Sequence, residues 1–503
     1  MQAPTRLTRR EMLGALAAAG VTLGASSTLA GCATAGRSET RLPATIADAG
    51  KRLRNGSLTS EALTRTYLGC IRELQPKLNA FITVPEEQAL ATARALDAEL
   101  RAGKDRGPLH GIPIVYKDNC DTAGILTTMG SQFFSTRVPA QDATVVRLLK
   151  EAGTVTLAKA NMNELAAGVA GANKHYGNAH NPWDVARWPG GSSSGSGAAV
   201  AAGVCLGGIG TDTGISVRGP AGWCGIVGVR PTYGRVSVAG VYPRAYSFDT
   251  IGPLARTVAD AATLLNAMVG YDPTDKYSIR SPREDFTAGL DRGVRGVRLG
   301  IVENFTYRNV DAEVADAVRG AADTLASLGA DVKPVRIPLF ENKINFSYPL
   351  TILLYEFNQI LSDEYRKADK SLFGPVVQAN MTRGSQIPKA TYDRAIAERP
   401  AEIAQIREVF GQVDAFLTPT HPMVAPLHTV DAEGSERVRQ FTVPVSFTGF
   451  PAVSVPCGFG PSGLPIGLHI VGNDMQEALL LRIAATLEAA TKFYERKPPL
   501  YCA

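Results

Sequence analysis

The sequence predicts an α/β fold, and three observations carry that prediction. Two apolar runs of strand length, Ile112 to Tyr116 and Thr154 to Ala158, flank a helical stretch from Ala143 to Glu151. Strand, helix and strand in succession is the pattern of a sheet with crossover helices. A second unit of the same kind begins near Val297, with a strand from Arg298 to Val302, an amphipathic helix from Asp311 to Leu328 and a strand from Asp331 to Ile337. Glycine is abundant, 50 of 503 residues, while charged residues make up only 20%. That balance suits a globular, turn-rich chain rather than a disordered or coiled-coil one. The length exceeds one ordinary core, so one large unit with insertions or two domains is the prior.

Taken in chain order, residues 1–32 read as an address. A basic start (Arg6, Arg9, Arg10) precedes a weakly apolar Ala/Gly/Leu stretch and then Leu29-Ala30-Gly31-Cys32, the layout of a bacterial export signal. Thr8 to Leu13 resembles a twin-arginine signal and Leu29 to Cys32 a lipobox, with Cys32 as the lipid-bearing residue. The competing reading, a membrane anchor, is disfavoured because the stretch is mostly alanine, glycine, serine and threonine. The expectation is an exported protein, periplasmic or held in the cell envelope as a lipoprotein, that meets a membrane only through a lipid on Cys32.

From Pro43 to Leu100 apolar residues recur at three and four (Leu63, Tyr67, Ile71, Leu74), with Ser60 and Glu61 near a start signal, so a helical N-terminal layer is expected. Residues 340–410 are the least patterned and contain Phe346, Tyr348, Tyr355, Phe357 and Tyr365. They read either as a substrate-facing helical insertion or as core packing. The chain returns through Asp414 to Thr420 and Phe441 to Val455 to an amphipathic helix over Gln476 to Ala489.

Composition excludes several functions. The net charge of +5 is spread over 52 basic and 47 acidic residues with no basic block, which gives nucleic-acid binding no support. The seven cysteines form no CxxC pair and the six histidines no metal-ligand spacing, so no metal is expected. Cys120, Cys205 and Cys224 read as small core residues. The tryptophans at 183, 188 and 223 are too scattered in sequence to signal a binding platform.

The informative segment is Pro189-Gly190-Gly191-Ser192-Ser193-Ser194-Gly195-Ser196-Gly197, leading through Ala198 to Gly203 into Gly210-Thr211-Asp212-Thr213-Gly214-Ile215-Ser216-Val217-Arg218-Gly219-Pro220. The ordinary reading of such a run is a flexible linker. Here it leads straight into a helix-forming Ala/Val stretch whose start the serines are suited to cap. Together with Val115-Tyr116-Lys117-Asp118-Asn119, Lys159 to Glu164, Gly228 to Ser237, Gly252 to Val258 and Gly449 to Pro456, the segment resembles the signature of the amidase signature family. The resemblance covers most of the chain, from about residue 43 to 495.

It implies an α/β fold with a central mixed sheet covered by helices. One large domain over residues 43–495 is expected, its core at about 106–290 and 411–495 and its variable helical insertion at about 340–410. It further implies an amidase that uses no cofactor and takes a small-molecule or peptide amide as substrate. By position, Ser216 would be the nucleophile, Ser192 the bridging serine, entered by a cis peptide from Gly191, and Lys117 the base. A serine hydroxyl must lose its proton as it attacks, and none of the histidines falls in a triad pattern. A lysine serves instead only if burial keeps its amine neutral. The N–H groups of Thr213, Gly214, Ile215 and Ser216 would receive the oxyanion. Ile215 stands where the commonest family pattern has a second glycine, which matters if that position needs positive φ. Asp212 and Arg218 read first as an internal ion pair holding the nucleophile loop and second as substrate contacts. Ser193 and Thr211 read in the same way as structural hydrogen-bond partners. His421 reads as a loop or core residue. Two other readings stay open, a non-catalytic envelope lipoprotein and the glutamine-amidating subunit of a transfer-RNA-dependent amidotransferase; the export signal speaks against the latter.

Overall fold

The structure, a computed structural model, describes residues 42–341, 347–430 and 436–502. The export-signal reading of residues 1–32, with Cys32, falls outside them, as does Phe346. Among the described residues, eleven strands form one mixed sheet: β1 (Phe81–Thr83), β2 (Pro113–Lys117), β3 (Val155–Ala160), β4 (Gly207–Thr211), β5 (Val227–Arg230), β6 (Ile251–Ala255), β7 (Arg298–Val302), β8 (Asp331–Val335), β9 (Ala415–Pro419), β10 (Ala452–Phe459) and β11 (Pro465–Gly472). Their spatial order is β1-β3-β2-β4-β6-β5-β10-β11-β9-β7-β8. Pairing is parallel for β3-β2-β4 at one side and β9-β7-β8 at the other, and antiparallel across the middle.

Every residue of β2, Pro-Ile-Val-Tyr-Lys, is buried. A parallel strand covered on both faces reads as a continuous apolar run instead of an alternating one. Its last residue is Lys117, carried into the interior by the strand's own burial. Helices Val258–Met268, Ala312–Ser327 and Glu477–Thr491 pack on the sheet. Leu264, Val318 and Leu480 on them are fully buried, each burial stabilising by about 1.5–3 kcal/mol.

The N-terminal layer is three helices, Ile46–Arg54, Ser60–Leu78 and Glu86–Arg101. The second is capped by Thr59, whose hydroxyl accepts from Ala62 N at 3.0 Å. It ends at Asn79 in the left-handed region, φ 44°, and the chain turns into β1, a three-residue strand too short to leave a period in the sequence. Residues 347–407 hold helices Ser347–Lys367, Pro375–Ser385 and Lys389–Arg407. Phe357, Phe373, Val377 and Met381 pack together there with Met129 and Leu165.

The glycine-dense centre is a packed element. A Cβ on Gly195 would lie 2.1 Å from Ala80 O and 2.5 Å from Asn161 N, so only glycine lets the helix Ser194–Ala201 sit this close to its neighbours. Ser193 stands at that helix's N-cap but makes no capping bond; its hydroxyl is drawn to β4 instead. Cys120, Cys205 and Cys224 are buried and free. Cys70, in the second N-terminal helix, is disulfide-bonded to Cys502, with Cα atoms 5.7 Å apart, a pairing that nothing in the sequence signals.

Candidate active site

Lys117 ends β2, next to the last residue of β4, Thr211. Its Nζ is fully buried and lies 2.7 Å from Ser192 Oγ and 2.7 Å from Thr211 Oγ1. Among the described residues no carboxylate pairs with it. Burial pulls its ammonium down to about 7, against weaker upward pulls from Cys120, Asp212 and Asp249. Uncompensated desolvation disfavours the charged form, and here no nearby anion cancels it. A second buried lysine, Lys159 on β3, donates instead to Cys120 O, Thr122 Oγ1 and Thr127 Oγ1, with no serine among its partners.

Ser192 is fully buried and is entered through a cis peptide from Gly191. Gly191 is required by close approach, since a Cβ there would meet Asn163 Oδ1 at 2.1 Å. Asn163 itself accepts from Gly171 N and donates to Ala172 O. Ser193 joins the three segments: its N–H donates to Ser216 O at 3.3 Å, and its hydroxyl donates to Thr211 O at 3.2 Å. Ser216 is thereby held beside Ser192 through the backbone. The hydrogen bonds of the described residues link Lys117 to Ser192 but include none between the hydroxyls of Ser192 and Ser216. Ser216 lines a cavity of about 490 Å³.

The loop carrying Ser216 is clamped from inside. Asp212 and Arg218, both fully buried, pair through Nε–Oδ2 at 2.9 Å and Nη2–Oδ1 at 3.0 Å. Arg230 approaches the same carboxylate at 3.4 Å. Burial would push the Asp212 carboxyl up, but the two guanidiniums overcome it and hold the group well below the ordinary carboxylate range. Arg218 also donates to Gly214 O and Ser446 Oγ. Its donors are taken up by protein groups, which is the geometry of a positioning residue and favours the internal-pair reading over that of a substrate contact.

Among the described residues, the N–H groups of Thr213, Gly214, Ile215 and Ser216 have no protein acceptor. Consecutive donors of this kind form an anion-binding concavity. Ile215 is absent from the residues with positive φ, so the position does not need glycine. Its side chain is buried with Val169, Trp188 and Trp223.

Sequence reading missed Asp249, which accepts from Thr213 Oγ1 at 2.6 Å and from the N–H groups of Arg244 and Ala245 at 2.7 and 3.1 Å. It missed Arg244 as well, since no motif or spacing marks Asp249 or Arg244, and it gave no role to Asn163, which lies inside the quoted Lys159 to Glu164 motif. The tryptophans are not all scattered in space: Trp188 and Trp223 lie 5.9 Å apart, and His421 stacks on Trp223 at 3.7 Å. His421 is buried and bonded to Gly219 O, so it packs against the helix that follows Ser216.

The Amidase family model matches residues 62–481. Among similar chains, a glutamyl-tRNA(Gln) amidotransferase subunit of Hahella chejuensis (strain KCTC 2396) is 39% identical over 485 residues, 91% of this chain and 99% of that one. Among solved structures, native peptide amidase from Stenotrophomonas maltophilia superposes with a TM-score of 0.79 at 34% identity, over 92% of this chain and 98% of that one. The 6-aminohexanoate cyclic dimer hydrolase with its substrate gives 0.84 at 27% identity, over 91% and 98%.

These relatives overturn the expectation of an exported periplasmic protein or lipoprotein. The amidotransferase subunits are named for work on a charged transfer RNA, a molecule of the cell interior. The physical weakness of the export reading is that a few arginines followed by alanine and glycine form a pattern of low information. The objection that an export signal raised against the amidotransferase reading falls with it. Matched over most of its length by one family model, and alike in fold to solved amide-cleaving proteins, the chain belongs to the amidase signature family and is an enzyme acting on carbon–nitrogen amide bonds.

Proposed function

We propose that the chain hydrolyses carboxamides through an acyl-enzyme, with Ser216 as nucleophile, Ser192 as bridge and Lys117 as base. The observation that carries this reading is a fully buried amine, unpaired with any described carboxylate, at 2.7 Å from a serine hydroxyl. Neutral Lys117 takes the Ser192 proton as Ser192 takes that of Ser216, and Ser216 Oγ bonds to the amide carbon. The oxyanion meets the N–H groups of residues 213–216. The same relay then returns a proton to the leaving nitrogen, too basic to depart as an anion, and the C–N bond breaks. Water, deprotonated by the same relay, releases the acid. Because the two serine hydroxyls are not hydrogen-bonded to each other in this structure, their contact has to close when substrate binds, as apo relays often do.

The test is amide turnover with purified protein and with Ser216→Ala. Loss of at least about a thousandfold is expected, together with an acyl adduct on Ser216 seen by mass spectrometry in the parent protein. Undiminished turnover in Ser216→Ala would overturn the assignment.

The sequence relatives favour a second form of the reaction. Those named as glutamyl-tRNA(Gln) amidotransferase subunits are 36–39% identical and are covered over 96–99% of their length. In that form the nitrogen freed at Ser216 passes to glutamyl-tRNA(Gln) with partner subunits, and the small-molecule-only partner reading widens to include a charged RNA. Ammonia release from glutamine that rises when partner subunits and charged tRNA are added would decide for it.

A further inference from the structure

The cavity in front of Ser216 contains a feature that the relay does not use. Arg244 is 5% exposed and lies between two cavities, the one lined by Ser216 and a second of about 370 Å³ that reaches Thr211 and Asn119. Its guanidinium lies over the Phe357 ring, with Cζ 3.7 Å from the centroid. Nη1 is buried and has no hydrogen-bond partner among the described residues. The nearest acid does not satisfy it: the Asp249 carboxylate is taken up by the Thr213 hydroxyl and by the backbone N–H groups of Arg244 and Ala245. Burial pulls Arg244 down to about 9, with Asp249 pulling up and Arg439 pulling down, so the group stays charged at neutral pH. A buried cation without an acceptor is costly, and a fold that keeps one beside its nucleophile loop has an anion to bring there.

The rest of the cavity narrows the choice of anion. Leu350, Leu353, Leu354, Val443 and Phe447 give it an apolar wall, and Arg383 and Arg439 add positive charge. Among the described lining residues there is no aspartate or glutamate beside Ser216. A ligand carboxylate is therefore welcome, while an ammonium next to that carboxylate would find no carboxylate among the described residues lining this cavity.

We propose that Arg244 is the anion-binding subsite of the acyl pocket, and that the substrate is an amide whose acyl chain ends in a carboxylate without a neighbouring ammonium, such as the monoamide of a dicarboxylic acid. The proposal rests on Ser216 being the nucleophile, and it selects the hydrolase form of that reading. Arg244 does not touch the reacting atoms; it sets which acyl chains are held there.

The experiment compares glutarate monoamide and adipate monoamide with hexanamide and with glutamine, on the full chain and on Arg244→Gln and Arg244→Lys. The monoamides are expected to exceed hexanamide and glutamine in kcat/KM by about tenfold or more. Arg244→Gln erases the margin through KM, and Arg244→Lys retains part of it. Equal turnover of charged and uncharged amides, a preference for glutamine over glutarate monoamide, or a margin untouched by Arg244→Gln overturns the proposal. Calorimetric binding of glutarate to Ser216→Ala separates this from failure of the nucleophile assignment. Binding that weakens about tenfold or more on adding Arg244→Gln upholds the subsite even if no amide is turned over, and binding that is absent or unchanged sinks it.

Discussion

Lys117 is the residue on which the proposed chemistry turns, and its condition follows from where β2 ends. An amine carried to the end of a fully buried strand loses its hydration and gains hydroxyl neighbours instead of an anion, so the neutral base persists near neutrality. The active form lies above a pKa of about 7. With chemistry rate-limiting, kcat/KM should therefore rise through about pH 7 and level off on the alkaline side, and Lys117→Ala should lose about 10²–10⁴-fold. A profile flat from neutral to alkaline pH would exclude a titrating amine. Lys117, Ser192 and Ser216 could be named as candidates from the sequence because each lies in a contiguous motif whose proposed chemistry needs those residue types. Asp249 and Arg244 could not, because their contacts arise only when folding brings separate segments together. The concern over Ile215 dissolves for a similar reason: sequence alone does not reveal φ, and the loop turns without left-handed backbone there.

At the scale of elements, the loop carrying Ser216, between β4 and the helix Arg218–Cys224, holds its shape through the buried Asp212–Arg218–Arg230 cluster. Breaking a buried pair from one side leaves uncompensated charge. Asp212→Asn should therefore destabilise the fold by about 3–5 kcal/mol, and denaturant unfolding that shows less than about 1 kcal/mol would mean that the arginines find other acceptors. Strands β2, β3, β7 and β8 were visible as strand-like runs between helical periods. The central antiparallel strands were harder to see. β4 reads Gly-Gly-Ile-Gly-Thr, which has neither alternation nor β-branched density, because its glycines exist for close packing against the helix Ser194–Ala201 and its neighbours. β1 is too short to carry a period, and it exists because β3 offers it an edge.

For the molecule as a whole, the bond between Cys70 and Cys502 fastens the N-terminal helical layer to the far end of the chain across a separation of 432 residues. A cross-link over so long a loop restricts the unfolded ensemble, typically by about 2–4 kcal/mol. Thermal unfolding should therefore shift downward on reduction and in Cys70→Ser, and equal midpoints with and without reductant would show that the link contributes nothing. It also makes nearly the entire polypeptide a covalent ring. A protease that nicks any surface turn between those two positions leaves both pieces on one molecule, which keeps its intact size until a thiol is added.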